Sequence, residues 1–365
     1  MKNLILLLLI IVAGCLSLIS PKNIAKLADG IIGPKDVLSI GQVVKNVLKG
    51  KQVSNISRNE IDKAKYYSLK KRKDNGVSAI VSIAEGCLGN CNFCATRHAR
   101  GKLVSFSMNS ILEEIKSLVS SGYKEIQITS QDSILYGLDK GEFLLPKLLK
   151  EISSIKGDFR VRVGMMNPFF VKKVFKDLVN SFNSDKIYKF IHLPLQSGDD
   201  EILKKMNRNY KVKDFIDVVK EFRNNFEDVL LATDIIVGYP EEEEKNFKKT
   251  LEVIKETRPS VVHIFRFSKR PCSKTKDLKD FPDKIKKERS RRLTDLSQKI
   301  NLKDNKKFVG NEFPVLISGE GKKGTLIGRL PSFRAVILKE GNLGNFEKVK
   351  INGFKENYLK GEIIS

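Results

Sequence analysis

Short apolar runs and amphipathic stretches alternate along most of this chain, and their order is regular. Ala79–Ala84 is an apolar run of strand length. Behind it Met108, Ile111, Leu112, Ile115, Leu118 and Val119 recur at helical spacing, with Ser107 placed to cap the helix and Gly122 to close it. Further strand-like runs fall at Glu125–Thr129, Phe159–Val163, Tyr188–Leu193, Val229–Val237 and Val261–Phe267. Helical stretches separate them near Phe143–Ile152 and over Val171–Phe182, Val212–Phe226 and Glu242–Thr257, with a short one capped by Asp199. Six such β/α units predict an α/β fold built on a parallel sheet, open or closed into a (β/α)6 barrel. In such folds ligands sit at the carboxyl ends of the strands.

Both ends of the chain break this rhythm. Residues 1–55 carry an apolar run from Leu4 to Ala13, a helix start at Pro21, a short strand at Gly30–Gly33 and an amphipathic stretch from Val37 to Gly50. That order predicts a small α/β module. Lys2, the apolar run and Val12-Ala13-Gly14-Cys15 also match a lipoprotein-type signal, but Leu16, Leu18 and Ile19 stay apolar where a tether would be polar. The run is too short to span a bilayer, and we read it as a strand leading to Cys15. Residues 56–75 are polar and basic, as a linker would be. After Gly310 five short runs (Phe313–Ile317, Lys323–Arg329, Ala335–Leu338, Lys348–Ile351 and Leu359–Ile363) predict a small all-β barrel over 306–365. Phe333, Phe346 and Tyr358 are its candidates for stacking on RNA bases.

Charge adds a partner to this picture. The 365 residues include 67 Lys+Arg against 43 Asp+Glu, a net charge of +24. The stretch Pro282–Lys307 has 10 basic and 4 acidic residues, and the terminal barrel 11 and 6. Such an excess favours a polyanion, and nucleic acid is the expected partner. With 41% hydrophobic residues the chain can still bury a core. Few cysteines imply a reducing compartment, so the expectation is a cytoplasmic protein, monomeric and without a membrane partner.

Three of the five cysteines, Cys87, Cys91 and Cys94, stand in a C-x3-C-x2-C spacing within one glycine-rich loop after the first strand of the barrel region. Three thiolates turned to one point can hold three irons of a [4Fe–4S] cluster and leave the fourth iron open to a substrate or cofactor. Zinc competes, with His98 as the nearest fourth ligand, although structural zinc sites usually pair two short ligand hooks. His192 and His263 fall inside strands, where packing or a satisfied hydrogen bond is the expected role.

Together these residues carry a resemblance. GCLGNCNFC with TRHARGKLVSF after it resembles the cluster motif of the radical-SAM methylthiotransferases, and EIQITSQDS, FIHLPLQSGDDEILKKMNRNY, TDIIVGYP and FRFSKRP extend the likeness. The terminal barrel resembles the RNA-binding TRAM domain, and VAGCLSLISPKNIAKLADGIIGP the end of the family's N-terminal domain. Arg160–Pro168 (RVRVGMMNP) resembles the archaeal and eukaryotic branch that acts on N6-threonylcarbamoyladenosine of tRNA. The resemblance implies a radical-SAM core over 76–305 in which Cys87, Cys91 and Cys94 hold the cluster. It further implies that S-adenosylmethionine chelates the open iron, and that reductive cleavage, fed by an electron donor, yields a deoxyadenosyl radical. That radical would abstract hydrogen from C2 of the adenine, and sulfur insertion and methylation would complete a 2-methylthio group. By position in the family's motifs, Gln131, Asp132, Gln196, Ser197, Gly198, Arg208, Ile236 and Gly238 line the S-adenosylmethionine end.

Three departures qualify that implication. The family holds a second [4Fe–4S] cluster on three cysteines of its N-terminal domain, and only Cys15 matches here, as though the chain were a truncated member whose partner cysteines lie upstream. Sulfur insertion is then in question, and the alternatives are a tRNA-binding relic without catalysis or a methylthiotransferase with another substrate. Cys272, in Arg270-Pro271-Cys272-Ser273, stands where the family has glycine and is expected to be an inert thiol. Pro240-Glu241-Glu242-Glu243-Glu244 replaces a glycine-containing turn with acids suited to a helix N-terminus.

Overall fold

The computed structural model describes residues 8–57 and 75–364, in two compact units. The linker expected at 56–75 lies, from 58 to 74, outside the described residues.

The first unit comprises residues 8–57, 85–104 and 269–278. Its sheet has three parallel strands in chain order, β1 (Ile11–Ala13), β2 (Gly30–Ile32) and β3 (Val53–Asn55). The apolar N-terminal run thus contributes a strand that pairs Ile11 with Gly30. Between β1 and β2 run α1 (Leu16–Ile19) and α2 (Pro21–Ala25), and α3 (Ile40–Leu48) lies between β2 and β3. Strand alternation sends Ile31 and Val12 to one face, against Ile24 and Ala28, and Ile32, Ile11 and Val53 to the other, against Val43 and Val47. Cys15 lies past the end of β1 and opens α1. The same unit holds the cysteine loop and α4 (Thr96–Arg100) behind it.

The second unit is built from residues 75–84, 105–268 and 279–364. Six parallel strands form two sheets of three. In one, β4 (Ser78–Ser82), β5 (Glu125–Thr129) and β6 (Arg160–Val163) lie side by side, with Ser78 opposite Glu125 and Glu125 opposite Arg160. In the other, β7 (Phe190–His192), β8 (Leu230–Val237) and β9 (Val261–Arg266) pair Phe190 with Leu230 and Ala232 with Val261. A bridge between Val161 and Ile187 joins the sheets into a partial (β/α)6 barrel. Aliphatic residues such as Ile126, Ile128, Val161, Val163, Leu231 and Ile235 are fully buried, while the alternate positions Gln127, Arg162, His192, Asp234 and His263 are polar and partly exposed. The barrel lumen is therefore polar by strand alternation.

Helices α5 (Met108–Ser120), α6 (Leu145–Ser153), α7 (Pro168–Lys173), α8 (Phe175–Phe182), α9 (Asp200–Lys205), α10 (Val212–Asn225) and α11 (Glu244–Thr257) separate the strands. The single helix expected over Val171–Phe182 is two, broken at Val174, where the backbone leaves helical geometry (φ −127°, ψ 23°). Asp199 caps α9 as expected, its Oδ1 accepting from the N–H groups of Glu201 and Ile202. Ser107 precedes α5, but its side chain makes no capping hydrogen bond.

The basic stretch forms α12 (Asp283–Asn305), which leads into a closed five-stranded barrel. Its strands are β10 (Glu312–Glu320), β11 (Leu326–Arg329), β12 (Ala335–Leu338), β13 (Phe346–Phe354) and β14 (Leu359–Ile363), hydrogen-bonded in the order β10-β11-β12-β14-β13. Val315, Ile317, Leu330, Val336, Leu338, Val349, Ile351 and Leu359 fill it. The turn between β11 and β12 docks on the parallel barrel: Lys189 N–H donates to Pro331 O at 2.8 Å, and Phe333 packs on Tyr188 and Phe190 at ring distances of 5.0 and 5.3 Å. Phe333 is thus not an exposed platform for RNA; its ring is committed to the barrel, and its backbone holds a φ of 69° to put it there.

Candidate active site

The cysteine loop starts with a turn that admits only glycine. Gly86 has a φ of 82°, and a Cβ there would stand 1.9 Å from Lys102 O. Cys87 N–H donates to Gly101 O (3.3 Å) and Cys94 N–H to Cys91 O (3.1 Å), which folds the loop back on itself. Backbone N–H groups also face the sulfurs: Gly89 N–H donates to Cys87 Sγ at 3.2 Å and Thr96 N–H to Cys94 Sγ at 3.3 Å. A point beside the Gly89 Cα lies within 4 Å of both Cys87 Sγ and Cys91 Sγ. No described cysteine is in a disulfide. Two half-exposed thiols facing one point, a third in the same loop, and amide donors aimed at sulfur suit the ligand chemistry of an iron–sulfur cluster. His98, the nearest zinc alternative, has its Nε2 engaged 3.1 Å from Leu18 O.

Cys15 belongs to the same unit. Arg100 Nε donates to Cys15 Sγ at 2.9 Å, while Arg100 NH1 bonds the nearly buried Glu85 at 2.7 Å. Burial pushes the thiol of Cys272 up from its ordinary value, and the neighbouring Cys94 adds to the effect. A raised thiol suits the inert role expected of it.

In the second unit, the residues expected at the strand ends divide by role. Asp132 is buried after β5, and its Oδ1 accepts from Asn167 N–H at 3.0 Å. Burial pushes its carboxyl up to about 7, against the opposing pull of that N–H and of the Arg208 guanidinium. Arg208 reaches Pro194 O (3.4 Å) and Tyr210 Oη (3.3 Å). Gln131 is half-buried beside Asp132 in sequence. Gln196 carries a φ of 70° and exchanges backbone hydrogen bonds with β8, donating to Asp234 O and accepting from Ile236. Ser197 is fully buried and accepts from Asp199 N–H. At Gly198 a Cβ would meet the Thr250 Cα of α11 at 2.4 Å, so its lack of a side chain lets strand and helix close. Gly238 N–H donates to Glu242 Oε2 at 2.7 Å, and Ile236 lies buried in β8.

Sequence models of two families match this chain: the radical SAM superfamily over residues 81–254 and the TRAM domain over residues 306–364. A protein of Archaeoglobus fulgidus named "Probable threonylcarbamoyladenosine tRNA methylthiotransferase" is 50% identical over 356 residues, which cover 98% of this chain and 83% of that protein. The chain belongs to the threonylcarbamoyladenosine tRNA methylthiotransferase family. A Methanocaldococcus jannaschii member is 38% identical (97% of this chain, 81% of its own), and one from Drosophila pseudoobscura 32% (97% and 65%). Among solved structures, the cobalamin-dependent radical enzyme OxsB shares the fold at a TM-score of 0.51 with 13% identity, over 80% of this chain and 43% of its own. Membership makes the methylthiotransferase a radical-SAM enzyme of the sulfur-group transferases. No helix among its described residues is long and apolar enough to cross a membrane.

Several site features of this methylthiotransferase escaped the sequence reading. His192 has the satisfied hydrogen bond expected of it, Nε2 to Asp234 Oδ1 at 2.9 Å, but His263 joins the pair from β9 with its ring 5.4 Å from that of His192. Asp234 and His263 are register partners, so strand pairing places them side by side. Glu242 is more than a charge near a helix end. It is buried against Arg289 at 2.7 Å, and that contact ties the turn to α12. Only the helical recurrence of Arg289 on a face with Leu293 and Ile300 hinted at it.

Proposed function

We propose that this chain methylthiolates C2 of N6-threonylcarbamoyladenosine next to the anticodon of tRNA, as a cytoplasmic radical-SAM enzyme fed by an external electron donor. The observation that carries the reading is the 50% identity to the Archaeoglobus fulgidus methylthiotransferase across 98% of the chain, which includes the whole cysteine loop. We assign a radical-SAM core to 76–305 and an RNA-binding TRAM barrel to 306–365, with the net charge of +24 favouring tRNA.

Cys87, Cys91 and Cys94 are the residues we assign to a [4Fe–4S] cluster, with Gly86 setting the loop and the N–H groups of Gly89 and Thr96 stabilising thiolate charge. Bound together, that cluster and S-adenosylmethionine supply a deoxyadenosyl radical for hydrogen abstraction. Of the strand-end residues, Asp132 and Arg208 are the polar pair assigned to S-adenosylmethionine, with Gln131 and Gln196 beside them. Ser197, Gly198, Ile236 and Gly238 shape the strand ends that hold the pair. Asp132, with its carboxyl near 7, can donate as well as accept at neutral pH. Cys15 is assigned to a second cluster only as one ligand of three, since that cluster requires two further cysteines which this sequence does not supply.

Anaerobic reconstitution followed by iron counting and nucleoside mass spectrometry tests the reading. About four irons per chain support the cluster on the loop, and about eight would add one at Cys15. Release of 5′-deoxyadenosine together with methylthiolated threonylcarbamoyladenosine supports the full activity. Release of 5′-deoxyadenosine alone would leave a radical enzyme with another substrate, and no cleavage at all would reduce the chain to a tRNA-binding protein.

A further inference from the structure

The second unit contains a cavity of about 210 Å3 between the lumen of the parallel barrel and the docked β11–β12 turn. Arg162, His263, Phe190, Arg329, Phe333 and Arg334 are among its walls. Arginines are its unusual feature. Arg162 Cζ lies 4.4 Å from the Phe190 ring centre and 5.3 Å from that of Phe333, and Arg329 Cζ lies 4.3 Å from Phe333. One aromatic ring thus holds two guanidinium groups, from different domains, beside the same space.

Neither guanidinium has an acid of its own. The Nε atoms of Arg162 and Arg329 are buried without a hydrogen-bond partner among the described residues. Among the described residues the one hydrogen bond on either guanidinium runs from Arg329 NH1 to Phe333 O, at 3.4 Å. Nearby acids are committed elsewhere. Glu125 accepts from Ser78, Gln127 and Tyr188, Asp234 bonds His192, and Asp228 pairs with Arg334. Glu356 lines the cavity and makes no ion pair with either arginine among the described residues. Burial and the charge of Arg329 push Arg162 below its ordinary value, against a smaller opposing pull from Glu125. Two half-buried guanidiniums of like charge beside one cavity are stabilised by an oxyanion between them, and arginine's planar fork matches a carboxylate or phosphate in two hydrogen bonds. The volume admits such a group but is smaller than a pocket for a whole drug-sized ligand.

We propose that this cavity is an oxyanion site in which Arg162 and Arg329 receive an anionic group of the tRNA substrate. The inference rests on the tRNA reading above. Two sources share the chemistry, the carboxylate of the threonyl arm on the target adenosine and a backbone phosphate.

The test follows the arginine Nε–H resonances of the intact chain by NMR during titration with N-carbamoylthreonine, its neutral methyl ester and inorganic phosphate. If N-carbamoylthreonine shifts Arg162 and Arg329, and the ester does not, the site takes the substrate carboxylate. If only phosphate shifts them, the site takes the RNA backbone. In either case Arg329→Gln and Arg162→Gln are expected to weaken binding at least tenfold, while Lys322→Gln on the exposed turn between β10 and β11 leaves it unchanged. Arg162→Lys, which keeps charge but loses the fork, covers the event that Arg162→Gln fails to fold. Binding of no anion, or binding that both variants retain, overturns the proposal. Binding of an anticodon stem-loop is measured in parallel: its absence in the unaltered chain would sink the tRNA reading separately, whatever the small anions do.

Discussion

Arg100 donates its Nε–H to the sulfur of Cys15 at 2.9 Å, although 85 residues separate them, and the same guanidinium bonds Glu85. One side chain from the helix behind the cysteine loop therefore fixes a thiol of the N-terminal sheet. The pairing ties Cys15 to a permanently charged side chain that is itself anchored on Glu85.

Arg100→Met removes that charge and the hydrogen bond it makes to the nearly buried Glu85. We expect a loss of about 1–3 kcal/mol in denaturant unfolding, and faster alkylation of Cys15 as its segment loosens. Arg100→Lys should recover part of the stability without restoring the protection of Cys15, because an ammonium cannot reach sulfur and carboxylate with one planar fork. Equal alkylation rates in all three proteins would show that the contact does not hold the segment.

Asp132 makes stability depend on pH with a definite sign. Its folded carboxyl titrates near 7, against an ordinary value of 3.8, so between those values the unfolded chain has lost a proton that the folded chain keeps. Stability therefore falls as pH rises from about 4 to about 7, by about 1.4 kcal/mol per pH unit inside that window, and the slope from this group ends above it. Asp132→Asn keeps an oxygen to accept from Asn167 N–H and should remove this share of the slope. Urea melts of both proteins at pH 5, 6, 7 and 8 isolate it by difference, since Glu242, also pushed by burial to about 7, is common to both.

Gly198→Ala puts a methyl group on the backbone of α11, where Thr250 Cα and N lie at 2.4 and 2.8 Å from the new carbon. Backbone cannot swing aside as a side-chain tip can. The expected cost is about 3 kcal/mol or more, read as a lower denaturation midpoint. An unchanged midpoint would mean that strand and helix are not locked together at this point.

Glu241 occupies a turn with a φ of 67°, a conformation that glycine adopts freely and that costs other L-residues about 1 kcal/mol or more. Glu241→Gly gives up an exposed pair with Lys205, worth little, and relieves the strain. It should leave the melting temperature unchanged or raise it by a few degrees, while Glu241→Val should lower it, since a branched side chain tolerates that backbone least.

Phe333→Ala removes the ring that joins the terminal barrel to Tyr188 and Phe190. A loss of about 3 kcal/mol is expected, and limited proteolysis should cut between α12 and β10 sooner than in the unaltered chain. If stability falls without earlier cleavage there, the ring serves the fold but not the docking.

Periodicity located the elements well because their apolar positions answer to burial along single strands and helices. Glu125–Thr129, Ala335–Leu338 and Leu359–Ile363 have the bounds read from sequence. It misjudged places where another part of the chain intervenes. Val171–Phe182 breaks in two at Val174, and Phe333 looked free until its partners Tyr188 and Phe190 came into view. The three-cysteine loop was legible because its ligands are contiguous.

The sequence by itself determined the parallel α/β core, the terminal β-barrel, the cysteine loop and the basic character, since each follows from local spacing or from composition. Only the tertiary structure decided which distant residues meet. It brought Arg100 to Cys15, Glu242 to Arg289, His263 to His192 and Asp234, and two arginines from different domains to one phenylalanine ring. The physical reason is that a hydrogen bond or a charge pair acts over a few ångströms of space, and spacing along the chain does not encode which strands and loops fold to within that reach.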